Sequence, residues 1–245
     1  MSLYKEGIAY QYLKETKYDR ESIFRRDDLG PMPRPPVYKN YPEAPRISLP
    51  RPAFEKTESL WSILNQRRSK RRYTIEPISV ETLAKLLWAT QGITLSAPEY
   101  QFRTAPSAGA LYPVETYLSV HHVLDVKQGI YHFNVLDFAL EEVAWGNFSE
   151  HLIPAALDQA MVGRAAVLFI WTAVVLRSMQ KYRNRCIRYI FTDAGHIAQN
   201  LQLAATSIGL GCCPVGAFYD DEINQLLGID GEEETAIYLA TVGNL

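Results

Sequence analysis

The stretch from Ile187 to Phe218, IRYIFTDAGHIAQNLQLAATSIGLGCCPVGAF, constrains this chain more than any other. Ile187, Ile190, Ala194, Ile197, Leu201, Ala204 and Ile208 alternate in steps of three and four, the spacing of one stripe on a helix. Phe191, Ala198, Leu203 and Ala205 add apolar surface on its other sides. The helix is therefore expected to be buried nearly all round, in a core or at a subunit interface. Gly209 stops it, because glycine enters the left-handed conformation that closes a helix without a Cβ penalty. The segment after it, GLGCCPVGAF, is glycine-rich backbone delivered from a rigid support.

Such a helix needs a body to pack on, and 245 residues with 47% hydrophobic content supply one large or two smaller cores. No run approaches the ~18 apolar residues of a membrane span, and MSLYKEGIAY lacks the apolar centre of a signal peptide. The expected location is cytoplasmic, away from membranes. Cys186, Cys212 and Cys213 form an odd set, and the adjacent pair is badly placed to bridge itself, so all three read as reduced thiols. His121 and His122 on a strand would point to opposite faces, which leaves no basis for a metal site.

Residues 1–57 read as an accessory arm. Tyr4 to Phe24 can hold a weak helix, after which prolines from Pro31 to Pro52 favour extended backbone over regular structure. Val37, Tyr38, Tyr41, Ile47, Leu49 and Phe54 would be costly to leave in water, so the arm is expected to wrap the body or a partner subunit. The compact domain, residues 58–245, opens with two helices capped by Ser59 and Ser79, the second closed by Gly92. Between them RRSKRRY, Arg67 to Tyr73, is the densest positive charge in the chain. It suits an anionic phosphate, or is a solvated basic turn. Nucleic acid is disfavoured by a net charge of -2 and the lack of a second basic patch.

Next, RTAPSAGALYP, Arg103 to Pro113, packs small residues between prolines. It is either backbone that approaches a flat ligand closely or a simple turn before a strand. Glu115 to Val123, Ile130 to Phe133 and Phe138 to Val143 read as an antiparallel set, and Ala165 to Val175 as a central buried strand. Ser149 and Asp220 are expected to cap short helices, and Thr235 to Val242 forms a last strand. The elements mix without βαβ alternation, which predicts an α+β fold. There is no GxGxxG, no GxxxxGK[ST] and no GxSxG, so dinucleotide, P-loop and nucleophile-elbow chemistries lack support.

Taken together, the basic RRSKRRY segment, PSAGALYP and a long helix ending in GLGCCPVGAF resemble the FMN-dependent nitroreductase superfamily. LLWATQGIT, RTAPSAGALYPVE, DAGHIAQNLQLAATSIGLG and PVGAF are most similar to its SagB-type dehydrogenase branch, which includes azoline oxidases. The resemblance implies a three-layer α/β/α fold with a mostly antiparallel central sheet and a long buried helix. It also implies an obligate homodimer with flavin sites shared between the chains. On the same basis Arg67, Arg68, Ser69 and Arg71 match contacts to the FMN phosphate and ribityl chain. Pro106, Ser107, Ala108 and Gly109 match the segment that the other subunit lays along the flavin. Pro214, Val215, Gly216 and Ala217 match the backbone facing the isoalloxazine near N5 and O4.

Two departures bear on this. Ala110 and Tyr112 replace the asparagine and glutamine of many nitroreductases, which agrees with the SagB-type branch. The C-terminus, Val242 to Leu245, lacks the basic residue that usually helps to hold the phosphate, shifting that task to the arginine block. Lys181 and Tyr182 match the Lys-Tyr pair of azoline oxidases and could act as a base. Alternatively, Lys181 joins Arg177, Arg183, Arg185 and Arg188 on a charged helix face, with Tyr182 as packing. Cys212 and Cys213 read as small packed residues and His196 as a hydrogen-bonded core residue. The expected function is hydride transfer between flavin N5 and a small organic or peptide-heterocycle substrate. The alternatives are an NAD(P)H-dependent nitro or quinone reductase and a non-catalytic scaffold in a peptide-modifying complex.

Overall fold

A computed structural model describes residues 3–18, 20, 30–53, 58–97 and 100–245. After a 3-10 turn the chain forms α1 (Ile8–Glu15), β1 (Arg46–Ser48), α2 (Leu60–Gln66), α3 (Val80–Gln91), β2 (Ile93–Ser96) and β3 (Gln101–Arg103). The sheet strands β4 (Val114–Val120), β5 (Gly129–Asn134) and β6 (Ala139–Trp145) precede α4 (Ser149–Ala155) and α5 (Met161–Arg164). Then come β7 (Val167–Val174), α6 (Val175–Tyr182), α7 (Cys186–Ser207), β8 (Gly211–Val215), α8 (Asp220–Leu227) and β9 (Glu234–Gly243). No helix among the described residues is long and apolar enough to cross a membrane.

The main sheet runs β1-β6-β5-β4-β7-β9-β8, and every pairing between these strands is antiparallel. Strand β7 lies inside it, between β4 and β9. Its alternation divides the core: Phe169 and Trp171 face α3 and α7, whereas Leu168 and Ile170 face α4, α5 and α8. A strand buried on both faces has no solvated side, which is why its sequence is apolar but for Thr172, whose hydroxyl donates to Glu234 Oε1 at 2.6 Å. Helices on both faces of an antiparallel sheet make the three-layer α+β architecture.

Local chemistry sets several of the helix starts. Ser59 and Ser79 accept hydrogen bonds from the amides of Ser62 and Thr82 at 3.3 and 3.2 Å. The expected caps Ser149 and Asp220 instead lie one residue inside α4 and α8, behind Phe148 and Tyr219. Asn147 Oδ1 takes over part of the first task by accepting from the Ser149 amide at 2.9 Å. Asp220, Asp221 and Glu222 put negative charge on the positive end of the α8 dipole.

Helix α7 buries Ile190, Ala194, Ile197, Leu201 and Ala205 on one side. All-round burial is not found, since Phe191 is 55% exposed and Thr192, Gly195 and His196 are exposed beside it. A single chain leaves that face uncovered. The helix ends as its sequence predicts, with Gly209 at φ +77°. There the Leu210 amide donates to Ala205 O at 2.9 Å and the Gly209 amide to Thr206 O at 3.2 Å. That pair of bonds is a Schellman closure.

The arm packs on the body. Arg185 Nη1 donates to Thr16 O at 2.5 Å and Arg188 Nη2 to Leu13 O at 2.8 Å, which fastens the end of α1. Against expectation the arm also forms regular structure, because β1 pairs with β6 at the sheet edge, where flanking prolines are tolerated. Phe24 and Phe54 lie outside the described residues.

Beneath the arm, His132 hydrogen-bonds Glu141 at 3.0 Å and Glu115 at 3.1 Å, and Arg177 Nη1 reaches Glu115 at 2.5 Å. Burial works against ionisation of Glu115, but the His132 hydrogen bond and the Arg177 charge outweigh it and hold its pKa down at about 2. His132 is raised above 6.5, the two carboxylates overcoming its burial. Glu115 therefore stabilises the fold fully above its ordinary 4.5 and loses that contribution as pH falls towards 2. His132 contributes fully below 6.5 and loses its share as pH rises through its folded value. The melting temperature should peak between about pH 5 and 6 and fall on both sides, with the alkaline fall absent in His132→Gln. A flat profile from pH 4 to 8 would contradict this account.

Candidate functional site

The basic segment after α2 is fixed to the body by backbone pairing. Ser69 forms a parallel bridge with Cys212, and the Lys70 amide donates to Cys212 O at 3.0 Å, so the segment runs beside β8. The crossing needs two glycines that face each other in β8 and β9, Gly211 and Gly243. A Cβ on Gly211 would sit 3.0 Å from the Tyr73 ring, and one on Gly243 would sit 3.1 Å from it. Tyr73 Oη donates to Lys70 O at 2.6 Å and lies 2.7 Å from Thr241 Oγ1.

On that support Arg67 closes α2 and donates from Nη1 to Gln202 Oε1 of α7 at 3.1 Å. Arg68, exposed, folds back on the carbonyls of Asn65 and Arg67. Burial pushes the Cys213 thiol pKa up, while the Arg71 charge and the Ser69 hydroxyl beside it pull it back in part. Strand β8 continues through half-buried Pro214 and buried Val215, then releases Gly216 and Ala217 into an exposed loop. Arg67, Arg68, Ser69 and Arg71 thus share one strand's length with Pro214 to Ala217. Among the described residues no carboxylate pairs with Arg67, Arg68, Lys70, Arg71 or Arg72. Asn244 spends its side chain on the carbonyls of Glu76 and Pro77, at 3.0 and 3.3 Å.

The second group of predicted residues gathers at the other half of α7. Ser107 Oγ donates to Asp193 Oδ2 at 2.6 Å and the Ala108 amide to Asp193 Oδ1 at 3.2 Å. Ser107 Oγ also accepts from the Tyr112 amide at 2.9 Å, which closes the Pro106 to Tyr112 turn on itself. Gly109 holds φ +64°, and a Cβ there would lie 2.7 Å from both Lys181 Nζ and Tyr182 Oη. The pair converges on a point only a glycine leaves open. Ala110 at φ +54° and Tyr112 at φ +46° are strained for side chains of their kind. Tyr112 is held there by Arg177, donating to its carbonyl at 3.2 Å, and by Arg103, whose amide donates to its hydroxyl at 3.1 Å.

The nitroreductase family profile matches residues 64–244. The chain belongs to the nitroreductase family. It is 38% identical over 184 residues to a nitroreductase-family protein of Methanocaldococcus jannaschii, covering 75% of this chain and 90% of that relative. Over 158 residues it is 28% identical to the microcin B17-processing protein McbC of Escherichia coli, covering 62% of this chain and 57% of McbC. A crystal structure of a nitroreductase from Anabaena variabilis aligns with a TM-score of 0.76 at 26% identity, over 96% of this chain and 46% of that one. The chain therefore spans about half the length of each of the latter two proteins. Similarity to a peptide-processing protein agrees with the SagB-type resemblance.

In this nitroreductase-family chain, sequence reasoning missed Asp193, Arg103 and Arg177, all buried. Asp193 carried a signal: it interrupts the buried stripe of α7 beside Ala194, where a carboxylate needs a partner. Burial raises its pKa, and the Ser107 and Ala108 hydrogen bonds oppose the rise. His196 is not a core residue; it sits exposed on the far side of α7. Nor do the arginines near Lys181 form one solvated face, since Arg177 turns inward and Arg185 and Arg188 hold the arm. Cys186, Cys212 and Cys213 are free and buried. In Asp193→Ala, hydrogen exchange of the Ala108 amide should accelerate at least ~5-fold, from loss of a bond to a charged group. Unchanged exchange would show that Asp193 does not hold the turn.

Proposed function

We propose that this chain acts as a homodimeric FMN-dependent oxidoreductase that moves a hydride between flavin N5 and a small organic or peptide-heterocycle substrate. The observation that carries the reading is the uncompensated charge of the arginine block, anchored along the strand that ends at exposed Gly216 and Ala217. A dianionic phosphate supplies the missing countercharge, and guanidinium forks bind it with charge-assisted hydrogen bonds. Arg67, Arg68, Ser69 and Arg71 would hold the phosphate and ribityl chain. Main-chain groups of Pro214 to Ala217 would line the ring and offset negative charge on it. Bound FMN supplies the two-electron chemistry that no side chain here can provide.

A second chain is part of the reading. Within one chain the Pro106 to Gly109 turn meets α7 at Asp193, whereas the arginine block meets it at Gln202, ~13 Å further along the axis. Phe191 of α7 and Leu60, Trp61 and Leu64 of α2 are exposed apolar residues, the kind of surface a homodimer covers. In the dimer the turn of each chain would lie along the flavin held by the other, bringing Lys181 and Tyr182 with it. One of that pair would take the substrate's proton as the hydride leaves. The similarity to McbC supports a peptide substrate.

In Arg68→Ala together with Arg71→Ala, bound FMN should be lost while the protein stays dimeric by light scattering. Undiminished flavin content would overturn the phosphate assignment. Lys181→Ala and Tyr182→Phe should keep their yellow colour and lose turnover, ~100-fold or more for the residue that acts as base. Full turnover in both variants would remove the pair from the chemistry.

A further inference from the structure

The basic segment is held by more than its bridge to β8. Lys70 is gripped on both sides of its Cα: its amide donates to Cys212 O at 3.0 Å, and its carbonyl accepts from Tyr73 Oη at 2.6 Å. Those two bonds fix the peptide planes that join Lys70 to Ser69 and to Arg71. Because a peptide is planar, fixing both planes also sets how the flanking side chains leave the backbone. Ser69 and Arg71, at alternate positions, share a side, and both stand beside the Cys213 thiol.

The grip depends on a seat built by the sheet. The Tyr73 ring lies over Gly211 of β8 and Gly243 of β9, where a Cβ would come within 3.0 and 3.1 Å of it. Thr241, fully buried in β9, sets its Oγ1 2.7 Å from the phenol oxygen and 3.2 Å from Cys213 O, so one hydroxyl ties the ring to both strands. Burial pushes the Tyr73 pKa above its ordinary 10, which keeps on the phenol the proton that Lys70 O accepts. Beyond the ring, the Thr74 amide donates to Asn244 O at 3.0 Å and fastens the far end of the segment.

Packing alone does not call for the two hydroxyls. Phenylalanine and valine have nearly the shapes of tyrosine and threonine without the desolvation cost of a buried hydroxyl. What the hydroxyls add is direction, since they hold the Lys70 carbonyl in one place. Donors held ready in this way bind an anion without the entropy loss of ordering them on arrival.

We infer that Tyr73 and Thr241 are positioning residues for phosphate recognition: their hydroxyls, acting through the Lys70 carbonyl, aim Ser69 and Arg71 at the phosphate and set the preference for a phosphorylated flavin over an unphosphorylated one. The inference rests on the FMN reading proposed above. It gives β9 a second task, because the strand that completes the core also presets the anion site.

Fluorescence titration of the full-length protein, freed of flavin, with FMN and with riboflavin, which lacks the phosphate, tests this. In Tyr73→Phe and in Thr241→Val the preference for FMN should fall at least ~10-fold, the equivalent of one hydrogen bond to a charged group, with riboflavin affinity unchanged. Thr241→Ser keeps the hydroxyl and should retain the wild-type preference. An equal loss for both ligands would mark a general packing role and overturn the inference, as would an undiminished preference in both hydroxyl-free variants. Hydrogen exchange of the Lys70 amide in the flavin-free protein should accelerate at least ~5-fold in those two variants and not in Thr241→Ser. Unchanged exchange would overturn the positioning role itself. A wild-type chain with no preference for FMN, whose variants still show the faster exchange, would remove the phosphate reading and uphold the seat.

Discussion

The contact between the Ile190 to Ala205 stripe of α7 and the sheet governs the rest of the structure, because a helix packed at native density cannot shift by a turn without exposing that stripe. Each buried isoleucine or leucine on it is worth ~1.5–3 kcal/mol, enough to fix the helix as a ruler. Two polar side chains then mark positions along it. Asp193 fastens the Pro106 to Tyr112 turn, and Gln202 receives Arg67. At the far end Gly209 closes the helix and sends the chain straight into β8, whose pairing with Ser69 and Lys70 completes the basic edge. The distance between the two groups is thus set by helix geometry rather than by either group.

This arrangement explains why strain is tolerated at Ala110 and Tyr112. Residues with positive φ persist only where their surroundings over-determine them. Here Ser107, Arg103 and Arg177 each grip Tyr112 at a different atom. Arg177 is paired with Glu115, and Glu115 with His132, so the turn is tied to the interior of the sheet. The arm joins the same network through Pro36 O and the Tyr41 amide, which donates to Glu141 at 3.0 Å. What looked like an accessory in the sequence is part of the hydrogen-bond network beneath the turn.

Much of the fold was legible because its signals are local. The apolar run of β7, the serine caps of α2 and α3 and the Gly209 closure each depend on a few neighbouring residues. The motif residues likewise fell into two spatial groups along α7. What could not be read depends on partners far away in sequence. Arg177 and Arg103 look like surface cations until Glu115, Tyr112 and Gln91 surround them. The β2–β3 hairpin is short, and Leu95 and Phe102 stay exposed on it, so no alternation announced it. All-round burial of α7 was expected because periodicity cannot tell a face that meets the core from one that a single chain leaves open.

Flavin content of a mixed dimer tests most directly whether a flavin site takes its arginine block from one chain and its Pro106 to Gly109 turn from the other. One chain carries Arg68→Ala and Arg71→Ala; the other carries Gly109→Trp, which drives a large ring into the space held by Lys181 and Tyr182. Each homodimer should be colourless. In the mixed dimer, purified through two tags, one site regains both intact halves, so about one FMN per heterodimer is expected. If each site were built within a single chain, every site in the mixed dimer would keep one defect. A colourless heterodimer would then contradict the shared site.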